Sequence, residues 1–329
     1  MTEIRTGGLT REQLQQFAEE GYLVVDEVVD PARDIAPVFA EYATVLDEIA
    51  KNLHGQGLIS EAYADLPFTD RLIRICEASG RNFHRHFDCS LFLGDIRPDA
   101  PIHVGPALFR LVTHPRLLDV VERVIGSEIY SNPTQHIRMK LPPRAIAPGN
   151  NSALVARTPW HQDNGTYTTD ADESEILTVW MPLNDATVEN GCLQVIPRSH
   201  RHGLATHCPG REGVMMSIPG KLLPEAQAIP LPMQAGSVLL MTRQTVHASL
   251  DNGTDDQVRI SFDMRYQPTG QPTGHPYFPG FVARSHAYPG QVLRDPAEWA
   301  RLWYAARNRL NAGHDGVPER WSVEHPACG

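Results

Sequence analysis

The stretch 159–167 reads Pro-Trp-His-Gln-Asp-Asn-Gly-Thr-Tyr, so His161 and Asp163 stand two residues apart. On an extended strand such residues point to the same face, and an imidazole and a carboxylate at this spacing can reach one ion. Roughly one His-x-Asp arises by chance in a chain this rich in both residues, and His86-Phe87-Asp88 is a second copy. The residues downstream of each copy separate them. Beyond Asp163, GSVLLMTRQTVHASLDN carries His247 at the end of a strand-like run. Further on, VRISFDMRY alternates apolar Val258, Ile260, Phe262 and Met264 with polar Arg259, Ser261, Asp263 and Arg265. A strand face with two arginines needs anions or water opposite it, and a guanidinium fork suits a carboxylate. No such partners come after His86 and Asp88 at similar spacing, so that copy is expected to be structural.

Two histidines and one carboxylate leave three adjacent positions open on an octahedral ion. That is the facial arrangement of non-haem Fe(II) oxygenases, in which a chelating 2-oxo acid takes two positions and dioxygen the third. On this reading His161, Asp163 and His247 are the metal ligands. Arg259 would then hold the far carboxylate of 2-oxoglutarate.

These side chains need strands to carry them. From Ser131 onward the chain consists of short runs divided by Pro, Gly, Asn and Asp: QHIRMKL, ILTVWMPL, GCLQVIP, GSVLLM and VRISFDMRY. Each has strand length and β-branched or alternating content. Asn190-Gly191 lies between two of them and predicts a hairpin turn. The first third is mainly helical. Thr10 with Gln13 forms a capping-box pattern ahead of a helix ending near Gly21, GYLVVDEVV predicts a strand, and DIAPVFAEYATVLDEIAKNL has helical spacing. HPRLLDVVERVIGSE begins with Pro115 and stops at Gly126, as a helix does. A last helix is predicted in DPAEWARLWYAARNRLNAG, capped by Asp295. Helices succeeded by many short strands, without βαβ alternation, predict a mainly β fold with flanking helices and a jelly-roll core. One domain over 1–329 is expected: a helical part to 130, the core over 131–267, then a loop and helix over 268–329. The Pro- and Gly-rich segments 142–158, 203–235 and 267–294 have the length of functional lids.

A net charge of -10 and a pI near 5.8 disfavour nucleic-acid and anionic-membrane partners. No apolar run reaches the roughly 20 residues that span a bilayer. The N-terminus lacks a secretory h-region, and the C-terminal PACG resembles no peroxisomal or retention signal. Five scattered cysteines without a C-x-x-C pair argue against a disulfide framework and fit a reducing cytoplasm. Among the other polar residues, His200 is expected to fix a turn and His202 and His207 to be solvated. Arg138, Lys140, Arg144 and Arg157 are expected to form a solvated basic cluster, and Arg265 is the better candidate to bind an anionic substrate group.

The segments HQDNGTYTTDADESEILTVWMPLNDATVENGCLQVIPRSHRHG, GSVLLMTRQTVHASLDN and VRISF together resemble the phytanoyl-CoA dioxygenase family of Fe(II)/2-oxoglutarate oxygenases. The likeness covers residues from about 10 to 266 and includes the N-terminal EEGYLVVDEVVD. It implies a double-stranded β-helix (cupin-like) core and iron held by His161, Asp163 and His247. It also implies 2-oxoglutarate contacts from Arg259, Ser249, Trp180 and Gln135. Where the family usually has Gly ahead of the Ser-His of PRSH, this chain has Arg198. Asp163 occupies the position where halogenating relatives carry a small residue, which implies hydroxylation-type chemistry. The expected enzyme is a cytoplasmic dioxygenase that consumes O2 and 2-oxoglutarate and oxidises a small molecule, such as a natural-product intermediate. The alternatives are a cupin-like metal isomerase or hydrolase without 2-oxoglutarate, and a non-catalytic jelly-roll binding protein. Oligomeric state is not legible.

Overall fold

The computed structural model describes residues 8–210, 215–313 and 320–328. The opening residues 1–7, part of the segment that reads as free of a leader, and 211–214 within the second long loop lie outside them. Helix α1 (Arg11–Glu20) carries the expected capping box: Gln13 N–H donates to Thr10 Oγ1 at 3.2 Å, and Thr10 N–H donates to Gln13 Oε1 at 2.9 Å. Gly21, at φ +81°, ends it. Strand β1 (Tyr22–Val25) and helix α2 (Ala36–Gly55) come next, as expected. Helices α3 (Phe68–Ser79) and α4 (Pro106–Val112) are additions to that expectation, and α5 (Pro115–Ile125) matches it.

The strands are β2 (Ile129–Ser131), β3 (His136–Lys140), β4 (Leu177–Pro182), β5 (Leu193–Val195), β6 (Ile229–Leu231), β7 (Val238–Thr242), β8 (His247–Ser249), β9 (Arg259–Pro268) and β10 (Phe281–Arg284). Helix α6 (Pro296–Asn311) comes after them, capped by Asp295 as expected. The larger sheet runs β1-β7-β4-β9-β2-β10, with β3 also paired to β9, and the smaller runs β6-β5-β8. Every pairing is antiparallel. The sheet reaches beyond 131–267, because β1 pairs with β7 and β10 with β2. One face of the large sheet buries Leu177, Val179, Ile260 and Phe262 against helical residues such as Tyr42, Leu72, Leu108 and Leu117. Its other face sends Trp180, Leu239 and Met241 against Leu193 and Val195 of the small sheet. The result is the expected jelly-roll core with helices on one side.

Three expectations need correction. First, Asn190-Gly191 does not close a hairpin. β4 pairs with β7 and β9, while β5 pairs with β6 and β8, so residues 183–192 cross from one sheet to the other. Local turn chemistry is still present. Asn190 Oδ1 accepts from Thr187 N–H at 2.8 Å, and Gly191 takes φ +89°. Turn residues specify a local bend, whereas the partner of each flanking strand is set by distant contacts. Second, Cys208 and Cys328 form a disulfide across 120 residues of sequence, leaving Cys76, Cys89 and Cys192 as free, buried thiols. Sequence spacing could not reveal a pair that the fold brings to a Cα separation of 5.5 Å. Third, His207 is fully buried, not solvated; His202 is exposed, as expected. No helix among the described residues is long and apolar enough to cross a membrane.

Arg198 explains its own departure from the glycine pattern. It adopts φ +63°, a left-handed conformation that favours glycine, and its guanidinium is fastened to Glu20 at 2.6 Å. Gly191 is less replaceable. A Cβ there would lie 2.6 Å from Lys140 Cδ and 2.8 Å from the Leu250 carbonyl oxygen, on a backbone that L-residues rarely adopt. Gly191→Ala is expected to lower unfolding free energy by about 1–3 kcal/mol in chemical denaturation. An unchanged midpoint would show that the crossover has room to relax.

Candidate metal centre

Residues 159–162 run alongside β8, where His161 and His247 exchange both backbone hydrogen bonds at 3.0 Å. This bridge sets the two imidazoles beside each other, with ring centroids 4.2 Å apart. Asp163 then opens a short 3-10 turn (Asp163–Thr166), which turns its carboxylate back toward both rings. Asp163 Oδ1 lies 3.6 Å from His161 Nε2 and 4.0 Å from His247 Nε2. One ligand atom from each residue falls within 4.8 Å of the others, and all three residues are buried. Among the described residues no other His, Cys, Asp or Glu group meets that condition.

The donor chemistry fits a metal ion. His161 Nδ1 faces the Pro159 carbonyl at 2.9 Å, and His247 Nδ1 faces the Thr245 carbonyl at 3.0 Å. A carbonyl can only accept, so each Nδ1 carries the proton and each Nε2 presents a lone pair inward. Burial, with His161 close by, lowers the His247 pKa to about 4, so its ring is neutral at ordinary pH. For Asp163, burial pulls the pKa up, but the Arg265 guanidinium outweighs it and holds the carboxyl well below the usual range.

Arg265 is spent on this carboxylate. Its Nη2 lies 2.9 Å from Asp163 Oδ1 and its Nε 3.2 Å from Oδ2. Thr178 Oγ1 donates to Oδ2 from the neighbouring β4. Arg265 is therefore a holder of Asp163, where the sequence suggested a site for an anionic substrate group. Both holders are a result of register, since Thr178 on β4 stands opposite Arg265 on β9. The alternation in VRISFDMRY had already placed Arg265 on the right face. Only its partner was missing.

The cavity in front of the triad is walled by Trp180, Arg138, Asp263, Leu193 and Met241. Trp180 is buried, and its Nε1 has no hydrogen-bond partner. Arg259 is fully buried behind it, its guanidinium carbon 5.5 Å from the Trp180 ring. Ser249 is also fully buried and accepts from Thr158 N–H at 2.8 Å. Gln135 lies at the lead into β3. Its Nε2 donates to Ser131 Oγ and the Asn132 carbonyl, and its Oε1 is buried without a partner. Of the four residues expected to touch the co-substrate, Trp180 lines the triad cavity, while Gln135, Ser249 and Arg259 do not reach its wall.

The basic cluster divides in two. Arg144 is exposed and pairs with Glu77, and Arg157 lies 3.9 Å from Asp251 at the surface. Arg138 and Lys140, contrary to expectation, are buried. Ile137 and Met139 point into the hydrophobic core, so the alternate residues of β3 face inward over the site. Arg138 pairs with Asp263 at 2.5 Å. The second His-x-Asp is structural in its own way: Asp88 accepts from Ile137 N–H at 2.9 Å and pairs with His136 Nδ1 at 3.0 Å. His200 reaches out of its turn to the Ala18 carbonyl of α1 at 3.2 Å.

A further layer covers the motif from outside. His207 Nε2 accepts from Gln162 N–H, between His161 and Asp163, at 2.9 Å. Trp321 packs on His207 with ring centroids 5.3 Å apart, and its Nε1 donates to the Gly165 carbonyl at 2.7 Å. Arg320 forks onto Asp172 at 2.7 and 3.0 Å. Nothing in the local sequence links residues 320 and 321 to this loop.

The family model for phytanoyl-CoA dioxygenase (PhyH) matches residues 17–261. The chain belongs to the phytanoyl-CoA dioxygenase family. As a member it is a non-haem dioxygenase that uses iron and 2-oxoglutarate. A phytanoyl-CoA dioxygenase of Arabidopsis thaliana is 33% identical over 93 residues, which is 28% of this chain and 32% of that relative. The match thus spans about a third of the Arabidopsis protein's length. Phytanoyl-CoA dioxygenase domain-containing protein 1 of Mus musculus is 24% identical over 263 residues, covering 75% of this chain and 86% of the mouse protein. Among solved structures, the non-haem monooxygenase ThoJ in its apo form superposes with a TM-score of 0.59 at 20% identity, over 91% of this chain and 97% of ThoJ, a likeness of fold.

Thr178→Val keeps shape and removes the donor to Asp163. It is expected to weaken Fe(II) or Co(II) binding about 10- to 100-fold, as loss of a ligand's supporting hydrogen bond does. Anaerobic competition titration against a chelating dye measures this, and unchanged affinity would show that Arg265 alone holds the carboxylate.

Proposed function

We propose that His161, Asp163 and His247 hold ferrous iron and that the enzyme oxidises an unactivated C–H of a small molecule, of the kind found in biosynthetic and natural-product pathways. One observation carries this reading. Three buried donors converge, with both imidazole Nδ1 atoms already taken by carbonyls, so only inward lone pairs remain. When bound, iron and 2-oxoglutarate supply the oxidising chemistry, in which dioxygen is consumed and the oxo acid leaves as succinate and carbon dioxide.

The chain's own residues do the rest. Arg265 and Thr178 keep Asp163 ionised and aimed, so loading a cation requires no proton to leave the carboxylate. The backbone carbonyls of Pro159 and Thr245 fix both ring orientations. Trp180, Leu193 and Met241 line the cavity and limit water. Arg259, with Ser249 nearby, offers a guanidinium to the distal carboxylate, and the unpartnered Trp180 Nε1 offers a further donor. Beside the triad, β3 sets His136 opposite Asp263. His136 lines a second cavity in which Arg85, Asp88 and Ser90 stand among the apolar Leu91, Phe92, Pro101 and Leu154.

The two rival readings lack a use for Arg259. A metal isomerase or hydrolase does not need a buried arginine with no carboxylate partner, and a binding protein would not need a ferrous site. The test requires only 2-oxoglutarate. The iron-loaded protein should convert it slowly to succinate when oxygen is admitted, even without primary substrate. Asp163→Ala is expected to reduce this to background. Arg259→Ala should raise the apparent KM for 2-oxoglutarate roughly 30-fold or more, the usual cost of removing one partner of a buried charge pair. Absence of oxygen-dependent succinate in the wild type would favour the rivals, and an unchanged KM would remove Arg259 from its role.

A further inference from the structure

One covalent feature touches the metal motif and has no part in the reading above: the Cys208–Cys328 disulfide. Both of its ends lie close to that motif. Cys208 comes directly after His207, whose Nε2 accepts from Gln162 N–H at 2.9 Å, and it pairs in an antiparallel bridge with Ser217. Ile218, the next residue, donates to the Trp160 carbonyl at 2.8 Å, one residue before His161. At the other end of the bond, residues 320–328 form a strap across the outside of the 163–172 loop. Arg320 holds Asp172 at 2.7 and 3.0 Å and the Tyr167 carbonyl at 3.2 Å. Trp321 Nε1 donates to the Gly165 carbonyl at 2.7 Å, and its ring packs on His207. His207 in turn lies so near that loop that a Cβ on Gly165 would stand 2.3 Å from its ring.

The rest of the strap is weakly held. Ser322 through Pro326 are exposed, and Val323 shows 63% of its surface to solvent. A segment with so little apolar burial opens at small free-energy cost, so the bond to Cys208 supplies much of its restraint. Cys208 and Cys328 are partly exposed, whereas Cys76, Cys89 and Cys192 are at most 2% exposed. Burial also raises the pKa of those three thiols, which keeps them protonated and unreactive. A thiol reagent at the surface therefore meets one target among the described cysteines.

We propose that Cys208–Cys328 is a thiol–disulfide exchange site that sets how tightly the metal motif is held, with Trp321 and His207 carrying its state to His161 and Asp163. This rests on the metal-site reading above and adds to it a means of control. The reaction partner is a dithiol reductant. One of its thiolates attacks a sulfur of the bond, and its second thiol then closes the reductant's own disulfide. Two electrons and two protons pass to Cys208 and Cys328, which become free thiols. Trp321 then leaves His207, and the turn after Asp163 loses the indole N–H at the Gly165 carbonyl. The loosened centre releases its ion faster.

The test uses full-length protein loaded with Co(II) and reads the rate of metal release into excess chelator without oxygen. Reduction with dithiothreitol, with the reagent then removed by gel filtration, should raise that rate about 10-fold. Reoxidation with oxidised glutathione should restore it. The double variant Cys208→Ser/Cys328→Ser has no new thiol to take up cobalt and should match the reduced protein. Trp321→Ala with the bond intact should show the same rise, and adding it to the double variant should raise the rate no further. Amide hydrogen exchange should quicken in 159–172 and 320–328 and stay slow in β4 and β9. An unchanged release rate, on reduction of the wild type or in the double variant, overturns the proposal. So do additive effects of Trp321→Ala and the serine pair, or exchange that quickens equally in β4 and β9, which would make the bond a general brace of the fold. A wild type that takes up no Co(II) overturns the metal-site reading and the coupling together, and that result precedes any reduction or substitution.

Discussion

A strand with two arginines and an aspartate on one face can be buried only if every charge is answered inside the protein. β9 is such a strand, with nine of its ten residues buried. Its apolar face, Ile260, Phe262, Met264 and Tyr266, joins the hydrophobic core. Its polar face meets β3 on one edge and β4 on the other. Each charge on that face then finds its answer at a different depth: Arg265 in the Asp163 carboxylate, Asp263 in Arg138, and Arg259 only in the neutral oxygens of Gly191 and Ser261. The site is a gradient of charge compensation along one strand.

The same strand explains why the ligands are so well held. Asp163 and both histidines sit on loop and short-strand backbone, which by itself would be mobile. Each is fixed by a group on a more rigid element or by its own chain two residues away. The carboxylate is held by β4 and β9, and the rings by carbonyls of Pro159 and Thr245. The orientation of all three donor side chains is thus determined by the polypeptide itself, the preorganisation that a metal site requires.

Much of this was legible in the sequence. The grouping of His161 and Asp163 with His247 can be read from the segments downstream of each His-x-Asp, although the pair lies not on a strand but on a bridge residue and the start of a 3-10 turn. The capping box of α1 and the Pro and Gly ends of α5 were legible because their rules act within a turn of chain. Pairing was not. Asn190-Gly191 has hairpin chemistry, yet the strands on either side belong to different sheets. Lys140 and Arg138 read as surface because cations usually are. The alternation of QHIRMKL did hold the opposite message, with Ile137 and Met139 claiming one face and leaving the other to the charges. His207, Trp321 and the Cys208–Cys328 bond were out of reach, because what gives them meaning is contact across more than a hundred residues.

That bond has a topological consequence. A denatured chain that keeps it is a closed ring of about 120 residues, with His247 and all of β9 inside and His161 and Asp163 on the tail outside. Ring closure over that length removes entropy worth about 5 kcal/mol from the disordered state in the chain-entropy model. Part of what favours the assembled centre therefore lies in the restricted freedom of the chain that has lost it.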